Sequence, residues 1–351
     1  MTAHIYAGSA PTGAGPDESP RLAPVSSLPG PPFPGGYRLQ PDFFEPARVP
    51  DEVSRYASPH ATLPVGSPGK VGVLQLGFEH NRMRDRTELV QHYQKSPLQI
   101  MRPLYFDPLR PDFPYTYMMS SGGGVLQSDR LRTDLTFGEG TSAHVTTQAQ
   151  TRVYRMDNDY ASSVTHISVA PGAYTEYLPE AVIPFAGSRF YQHTAVTLDE
   201  SATLLLGETV YAGRLARDER HRYDIYASDV EVRRPDGRLV ALDRVRLCPS
   251  GADATPAAPG PGVMADHDIL AMLYVFTPLV PPAELADRLH DSLSATFTDG
   301  LFGISALPND AGVWMRLLAN DPVSVARANQ AAAGAAHELL TGFAAPAVRK
   351  A

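Results

Sequence analysis

The chain has 351 residues, a formal net charge of −8, 43% hydrophobic residues, 33 prolines, 28 glycines and a single cysteine. The acidic balance argues against nucleic acid as the main partner, because phosphate recognition needs a basic surface. Cys248 alone excludes an internal disulfide framework and a thiolate zinc cluster within one chain.

No apolar run approaches the roughly 18–20 residues that a membrane helix needs. The opening Met1-Thr2-Ala3-His4 has neither the basic nor the apolar part of a secretory signal. A soluble cytoplasmic protein without a membrane partner is expected. Residues 1–69 are rich in Pro, Gly, Ser and Ala, with segments such as LPGPPFPGG. Ordering a backbone costs about 1–2 kcal/mol per residue, and this composition offers little apolar surface in return. A disordered or loosely attached tail is expected there, and a single β domain over residues 70–351.

The strand pattern begins after Lys70. Val71, Val73, Gln75 and Gly77 fall on one face, and Leu74, Leu76 and Phe78 on the other. Arg82-Met83-Arg84-Asp85-Arg86-Thr87 reads as a polar hairpin. Pro97 and Pro103 confine the next extended segment to edges or strand starts. In the stretch 115–154, a strand stops at Ser120-Ser121 and turns on Gly122, Gly123 and Gly124. Leu131, Thr133, Leu135 and Phe137 then alternate with Arg132, Asp134 and Thr136, and two further β runs end at Tyr154.

More strands are expected near 161–169, 173–178, 182–185, 190–198, 202–210, 222–232, 238–247 and 269–276. Short strands without intervening helices indicate an all-β sheet assembly, not a doubly wound α/β sheet. Residues 249–262 read as an exposed loop. A first helix starts at Pro282 and carries Leu285, Leu289, Leu293 and Phe297 on one stripe. A second has Asp321 as N-cap, Pro322 at its first position and Gly342 as its stop. A strand pair, 301–307 and 313–318, lies between them.

The triple glycine lacks the Gly-Lys-Ser/Thr ending of a phosphate loop, Gln127 stands where a dinucleotide fingerprint has its third glycine, and no helix follows. It reads as a tight turn that permits close backbone approach. No Gly-x-Ser-x-Gly elbow or His-Glu-x-x-His helix is present. His80, His92, His144, His166, His193, His221, His267 and His290 are scattered, without close metal-ligand spacing, and read as surface or ladder positions. Asp129, Asp134, Glu176, Glu180 and Glu208 lie in or beside strands. Glu208 follows Leu204-Leu205-Leu206-Gly207, so partial burial is expected. A buried carboxylate needs a partner, with Arg130 and Arg152 as candidates. The residues alone leave two readings open: structural ion pairs, or an acidic path or interface for a divalent cation.

Five landmarks, in order, resemble the urease accessory protein D family (UreD, also called UreH). Gln99-Ile100-Met101-Arg102-Pro103-Leu104-Tyr105 leads into Tyr115 and Tyr117 and then Ser121-Gly122-Gly123-Gly124-Val125-Leu126-Gln127-Ser128-Asp129-Arg130-Leu131. Thr146-Thr147-Gln148-Ala149-Gln150-Thr151-Arg152-Val153-Tyr154-Arg155, Gly172-Ala173-Tyr174-Thr175-Glu176-Tyr177-Leu178-Pro179-Glu180-Ala181 and Gly207-Glu208 with Gly213-Arg214 follow. The resemblance covers residues 71–342. Gln127-Ser128 replace a family Gly-Gly, Ala186 a family aspartate, and Tyr177 a family tryptophan.

The resemblance implies a mainly β fold of stacked multi-stranded sheets in a helical, solenoid-like course, with two C-terminal α-helices. It implies a non-enzymatic urease maturation factor, a scaffold that docks UreF and the GTPase UreG on apo-urease and helps convey nickel to the urease active site. No tightly bound cofactor is implied, only nickel in transit and GTP on UreG. Asp129, Glu176 and Glu208 become candidates for a transient nickel path, organised by Arg130 and Arg152, with Gly122, Gly123 and Gly124 as structural or interface positions. Two rivals stand beside it. One is a carboxylate-dependent β-rich hydrolase or lyase, whose two acids need be only about 5–10 Å apart; a single tryptophan, Trp314, gives it little of a sugar platform. The other is a metal-free β interaction module.

Overall fold

The computed structural model describes residues 43–46, 48–58, 71–249 and 257–348. The chain enters through a short helix, α1 (Asp51–Ser54), and an antiparallel hairpin of β1 (Val71–Asn81) and β2 (Arg86–Lys95), followed by a short β3 (Leu98–Gln99). From β4 (Tyr115–Ser120) it winds as a coil. One circuit lays β5 (Arg130–Phe137) in one sheet, β6 (Ser142–Thr147) in a second and β7 (Thr151–Val153) on a short third face. The next circuit repeats this with β8 (Ala161–Val169), β9 (Tyr174–Tyr177) and β10 (Val182–Pro184), and another follows with β11 (Arg189–Leu198) and β12 (Thr203–Tyr211).

Equivalent strands stack in parallel, with Arg130 opposite Ser162, Phe190 opposite Ala161 and Ile225 opposite Arg189. This is the expected solenoid-like course. No single coil can bury its apolar face alone, so stability comes from stacking on the next coil. β13 (Ile225–Arg233) and β14 (Leu239–Leu247) complete a seven-stranded sheet. β15 (Ile269–Phe276), then β17 (Gly312–Ala319) and β16 (Gly300–Ala306), extend the second sheet from β12, each antiparallel to the strand before it.

Strand alternation divides the core. Leu74, Leu76, Phe78, Leu131, Leu135, Phe137 and Ile167 point into the solenoid. On the outer face of the first sheet, Arg132 and Asp134 are also fully buried. Asp134 accepts from Arg132 Nε at 2.8 Å and Gln75 Nε2 at 2.7 Å, and Arg132 donates to the Phe43 carbonyl at 2.6 Å. The cover over this charged patch is N-terminal. Phe43 and Phe44 pack on Val73, and Val53 of α1 packs among Tyr160, Tyr191 and Ile225. The disordered tail expected over 1–69 falls mostly outside the described residues, and within it residues 43–46 and 48–58 lie on this sheet.

Of the two C-terminal helices, α2 (Pro282–Thr296) lies between β15 and β16, and α3 (Pro322–Thr341) follows β17. Leu285, Leu289 and Leu293 are fully buried in the cluster holding Val313, Met315 and Leu317 of β17. Each such burial contributes about 2 kcal/mol. Phe297, expected on the same helical stripe, is buried just past the helix end. The Asp321 carboxylate accepts the Ser324 N–H at 2.8 Å, and Gly342 closes α3 at φ 78°.

Candidate functional site

Parallel pairing of β6 and β9 places His144 opposite Glu176. Period-2 alternation turns Tyr174 and Glu176 to the face covered by α3, and Tyr177 to the solenoid interior. His337 arrives from the buried side of α3. His144 Nδ1 lies 2.6 Å from Glu176 Oε2, and His337 Nδ1 lies 2.6 Å from Oε1. The Tyr174 hydroxyl donates to the same Oε1 at 2.8 Å. Burial alone would raise the Glu176 carboxyl, but the hydrogen bonds and charges of His144 and His337 outweigh it and hold the group well below the usual carboxylate range.

Glu208 has a different setting. β12 of the second sheet turns it toward β11 and β13 of the first, where Gln192 Nε2 donates to Oε1 at 2.7 Å and the Ser228 hydroxyl lies 3.0 Å from Oε2. Burial pushes its carboxyl up to about 7 against these two neutral donors, and the charges of Asp243 and Asp229 add to the rise. Its partners are therefore an amide and a hydroxyl, not Arg130 or Arg152. β11 and β13 stand next to it in the coil, whereas both arginines belong to earlier turns.

Glu208 lines two cavities. One, of about 360 Å³, lies between the second sheet and α3 and is lined by Tyr115, His144, Glu176, Glu208 and His337. The other, of about 300 Å³, occupies the solenoid interior and reaches the Gly122, Gly123 and Gly124 turn. Pro179, Glu180, Gly207, Glu208 and Thr209 line both. Glu176 and Glu208, singled out separately in the sequence, thus share one cavity wall.

The other expected residues are placed elsewhere. Asp129 is buried and lines neither cavity; its Oδ2 accepts the Leu126 N–H at 2.8 Å, closing the turn before β5. Arg130 pairs with Asp159 at 3.2 Å and Glu45 at 3.4 Å, under the N-terminal cover. Arg152 is exposed at the rim of the second cavity. The triple glycine has the close approach expected of it: a Cβ at Gly124 would meet the Arg152 carbonyl oxygen at 2.5 Å and the Tyr154 ring at 2.8 Å. Of the substituted pair, Gln127 Oε1 accepts the N–H groups of Asp157 and Asn158, and Ser128 takes the left-handed conformation at φ 63°.

Sequence reasoning read His144 as a ladder position and passed over His337. His337 is in line with Gln330 and Ala333 on α3, off the apolar stripe of Ala328, Ala332 and Ala336, so helical periodicity did not mark it. Among the described residues, no group of three or more His, Cys, Asp or Glu side chains is arranged to hold a metal ion. Nor, among them, is any helix long and apolar enough to cross a membrane.

Comparison with known proteins agrees with the landmark motifs. A family model described as UreD urease accessory protein matches residues 70–350. A urease accessory protein UreD 2 from Streptomyces griseus is 49% identical over 84% of this chain and 98% of its own length. A UreD from Haloarcula marismortui is 40% identical over 82% of this chain and 92% of its own. A UreD 3 from Methylorubrum populi is 37% identical over 76% and 84%.

Proposed function

The chain belongs to the UreD urease accessory protein family, and from that premise we propose that it is a urease maturation factor whose two cavities, which share Glu208 as a lining residue, help convey nickel toward apo-urease. The accessory role carried in the relatives' names supports a scaffold and not an enzyme. UreF and UreG are the partners proposed to dock on it, with GTP bound by UreG.

One observation carries the path. Glu176 and Glu208 stand on the wall of one cavity, and Glu208 also stands on the wall of the next. An ionised carboxylate beside a protonatable one gives a cation a foothold and an exit. Asp129, closing a turn, is assigned a structural role.

The test is urease activity in nickel-limited cells that carry the urease genes and variants of this chain. Glu176→Gln and Glu208→Gln are expected to reduce activation, and Asp129→Asn, if folded, to leave it near wild type. Full activation with both glutamate variants would remove the path reading. The metal-free interaction module would then remain, with complex formation intact and no nickel retained by the isolated protein or by its complex with UreF.

A further inference from the structure

Among the described strands, β14 and β2 close the first sheet, and β16 and β3 the second. An open strand edge is a template for pairing with another chain, and proteins protect such edges with charges, bulges or short length. β2 carries Arg86, Glu88 and Lys95 and pairs across a bulge at Gly77 and Phe78. β14 carries Asp243, Arg244 and Arg246 and pairs across a bulge at Val232 and Arg233. β3 has two residues. β16 has none of these devices. Its sequence, Gly300-Leu301-Phe302-Gly303-Ile304-Ser305-Ala306, holds no charge and no proline, and its register with β17 is unbroken. Leu301 is 62% exposed on it.

The Leu307 N–H donates to the Gly312 carbonyl at 2.8 Å, which makes those opposed residues a bonded pair. Bonded and non-bonded pairs alternate along an antiparallel ladder. Ser305, Gly303 and Leu301 therefore bond to β17, and Gly300, Phe302, Ile304 and Ala306 turn their N–H and C=O groups to the open edge. Among the described residues, no other backbone group pairs with them. A two-fold axis at Gly303 matches these groups to one another. Phe302 then meets Ile304 of a second copy, and Gly300 its Ala306, all as bonded pairs. The two Gly303 residues meet at the axis as a non-bonded pair, with Cα atoms about 4.5 Å apart. Packing within one chain does not require that glycine, since a Cβ there would meet no atom within 4 Å. Glycine in a strand interior weakens it and marks places where another backbone comes close.

We propose that two copies of this chain pair antiparallel through β16 and join their second sheets into one. The occupant is a second copy because one register satisfies the outward groups of both strands at once, as a two-fold contact requires. Charge agrees: a chain of net charge −8 can meet itself along this strand without like charges facing each other. Phe302 and Ile304 lie on the side that α2 covers, with His290 of α2 5.5 Å from the Phe302 ring. Across the axis they form aromatic and β-branched pairs, which stabilise a sheet. The pairing is independent of the nickel route.

Disulfide trapping on the full-length protein tests it. Gly303→Cys places both thiols at the axis, whereas Ser305→Cys places them on opposite sides of it, about 14 Å apart at ~3.4 Å per residue. A disulfide needs Cα atoms within about 7 Å, and the native Cys248 is buried. Under mild oxidation, Gly303→Cys is expected to give a linked dimer, and Ser305→Cys and wild type to stay unlinked. In sedimentation, wild type is expected to double in mass with rising concentration. Ile304→Pro removes an outward N–H and leaves the bonds to β17, so it is expected to weaken the dimer by more than about tenfold, each copy losing one edge hydrogen bond. Wild type that stays monomeric, or linkage at residue 305 equal to that at 303, overturns the proposal. A dimer that Gly303→Cys fails to link also overturns it, since the copies then meet elsewhere. If wild type is monomeric and Ile304→Pro instead weakens binding of UreF, the edge takes a strand of that partner and the second copy is ruled out. The two cysteine variants decide even if Ile304→Pro fails to fold.

Discussion

Glu176 and Glu208 stand on one cavity wall at nearly equal exposure, 5% and 6%, yet their carboxyls move in opposite directions. Burial disfavours the charge at both. At Glu176 two imidazoles and a phenol supply donors strong enough to keep it ionised. At Glu208 an amide and a hydroxyl do not, and two nearby aspartates oppose a further negative charge. Burial sets the penalty, while the donors decide the outcome. Along a cation route, the Glu176 carboxyl would stay ionised while Glu208 changes charge near neutrality.

The largest effect expected is from Glu176→Ala. It strands the Nδ1 donors of His144 and His337 and the Tyr174 hydroxyl in the core, and breaking such a buried pair costs about 3–5 kcal/mol. Urea unfolding at neutral pH measures it, and wild-type stability would break the contrast at its stronger end. The wild-type contribution of Glu176 should be present above pH 4.5, the ordinary value, and decline as pH falls toward its depressed folded value.

Glu208 carries the opposite sign. Its folded pKa, about 7, lies above the ordinary 4.5, so the folded state holds the proton longer and wild type loses stability as pH rises between the two. Glu208→Gln should therefore match wild type near pH 4.5 and exceed it by up to about 3 kcal/mol near pH 8. Thermal unfolding across that range reads the difference, and a pH-independent offset would contradict it.

Two smaller changes probe the turn at the far end of the second cavity. Gly124→Ala forces a methyl group onto the Arg152 carbonyl and the Tyr154 ring, at a cost of about 2 kcal/mol by overpacking. Ser128→Gly relieves a left-handed φ and should stabilise by about 1 kcal/mol. Both are read as shifts of the urea midpoint. Equal stability of Gly124→Ala and wild type would mean that the turn does not hold the coils together.

Much of the fold was legible because its signals are local. The alternation at Leu131 to Phe137 specified a strand, and Asp321, Pro322 and Gly342 marked both ends of α3. The solenoid course entered through the motif resemblance, since coil stacking pairs residues such as Arg130 and Ser162 that no local pattern connects. Glu176 and Glu208 were found through their motifs, but their partners were not. His337 meets Glu176 only because α3 folds back over the second sheet, and Gln192 and Ser228 reach Glu208 from adjacent coils. The expected arginine partners failed for the same reason: Arg130 is taken by Asp159 and Glu45 on the outer face, under a segment whose composition gave no sign of packing.

Equilibrium dialysis against nickel near pH 8 tests the delivery role most directly, with wild type compared to Glu176→Gln combined with Glu208→Gln, each alone and in complex with UreF. A cation route along this wall requires wild type to retain nickel and the double variant to lose most of it while still binding UreF. Equal retention by both proteins would contradict the route.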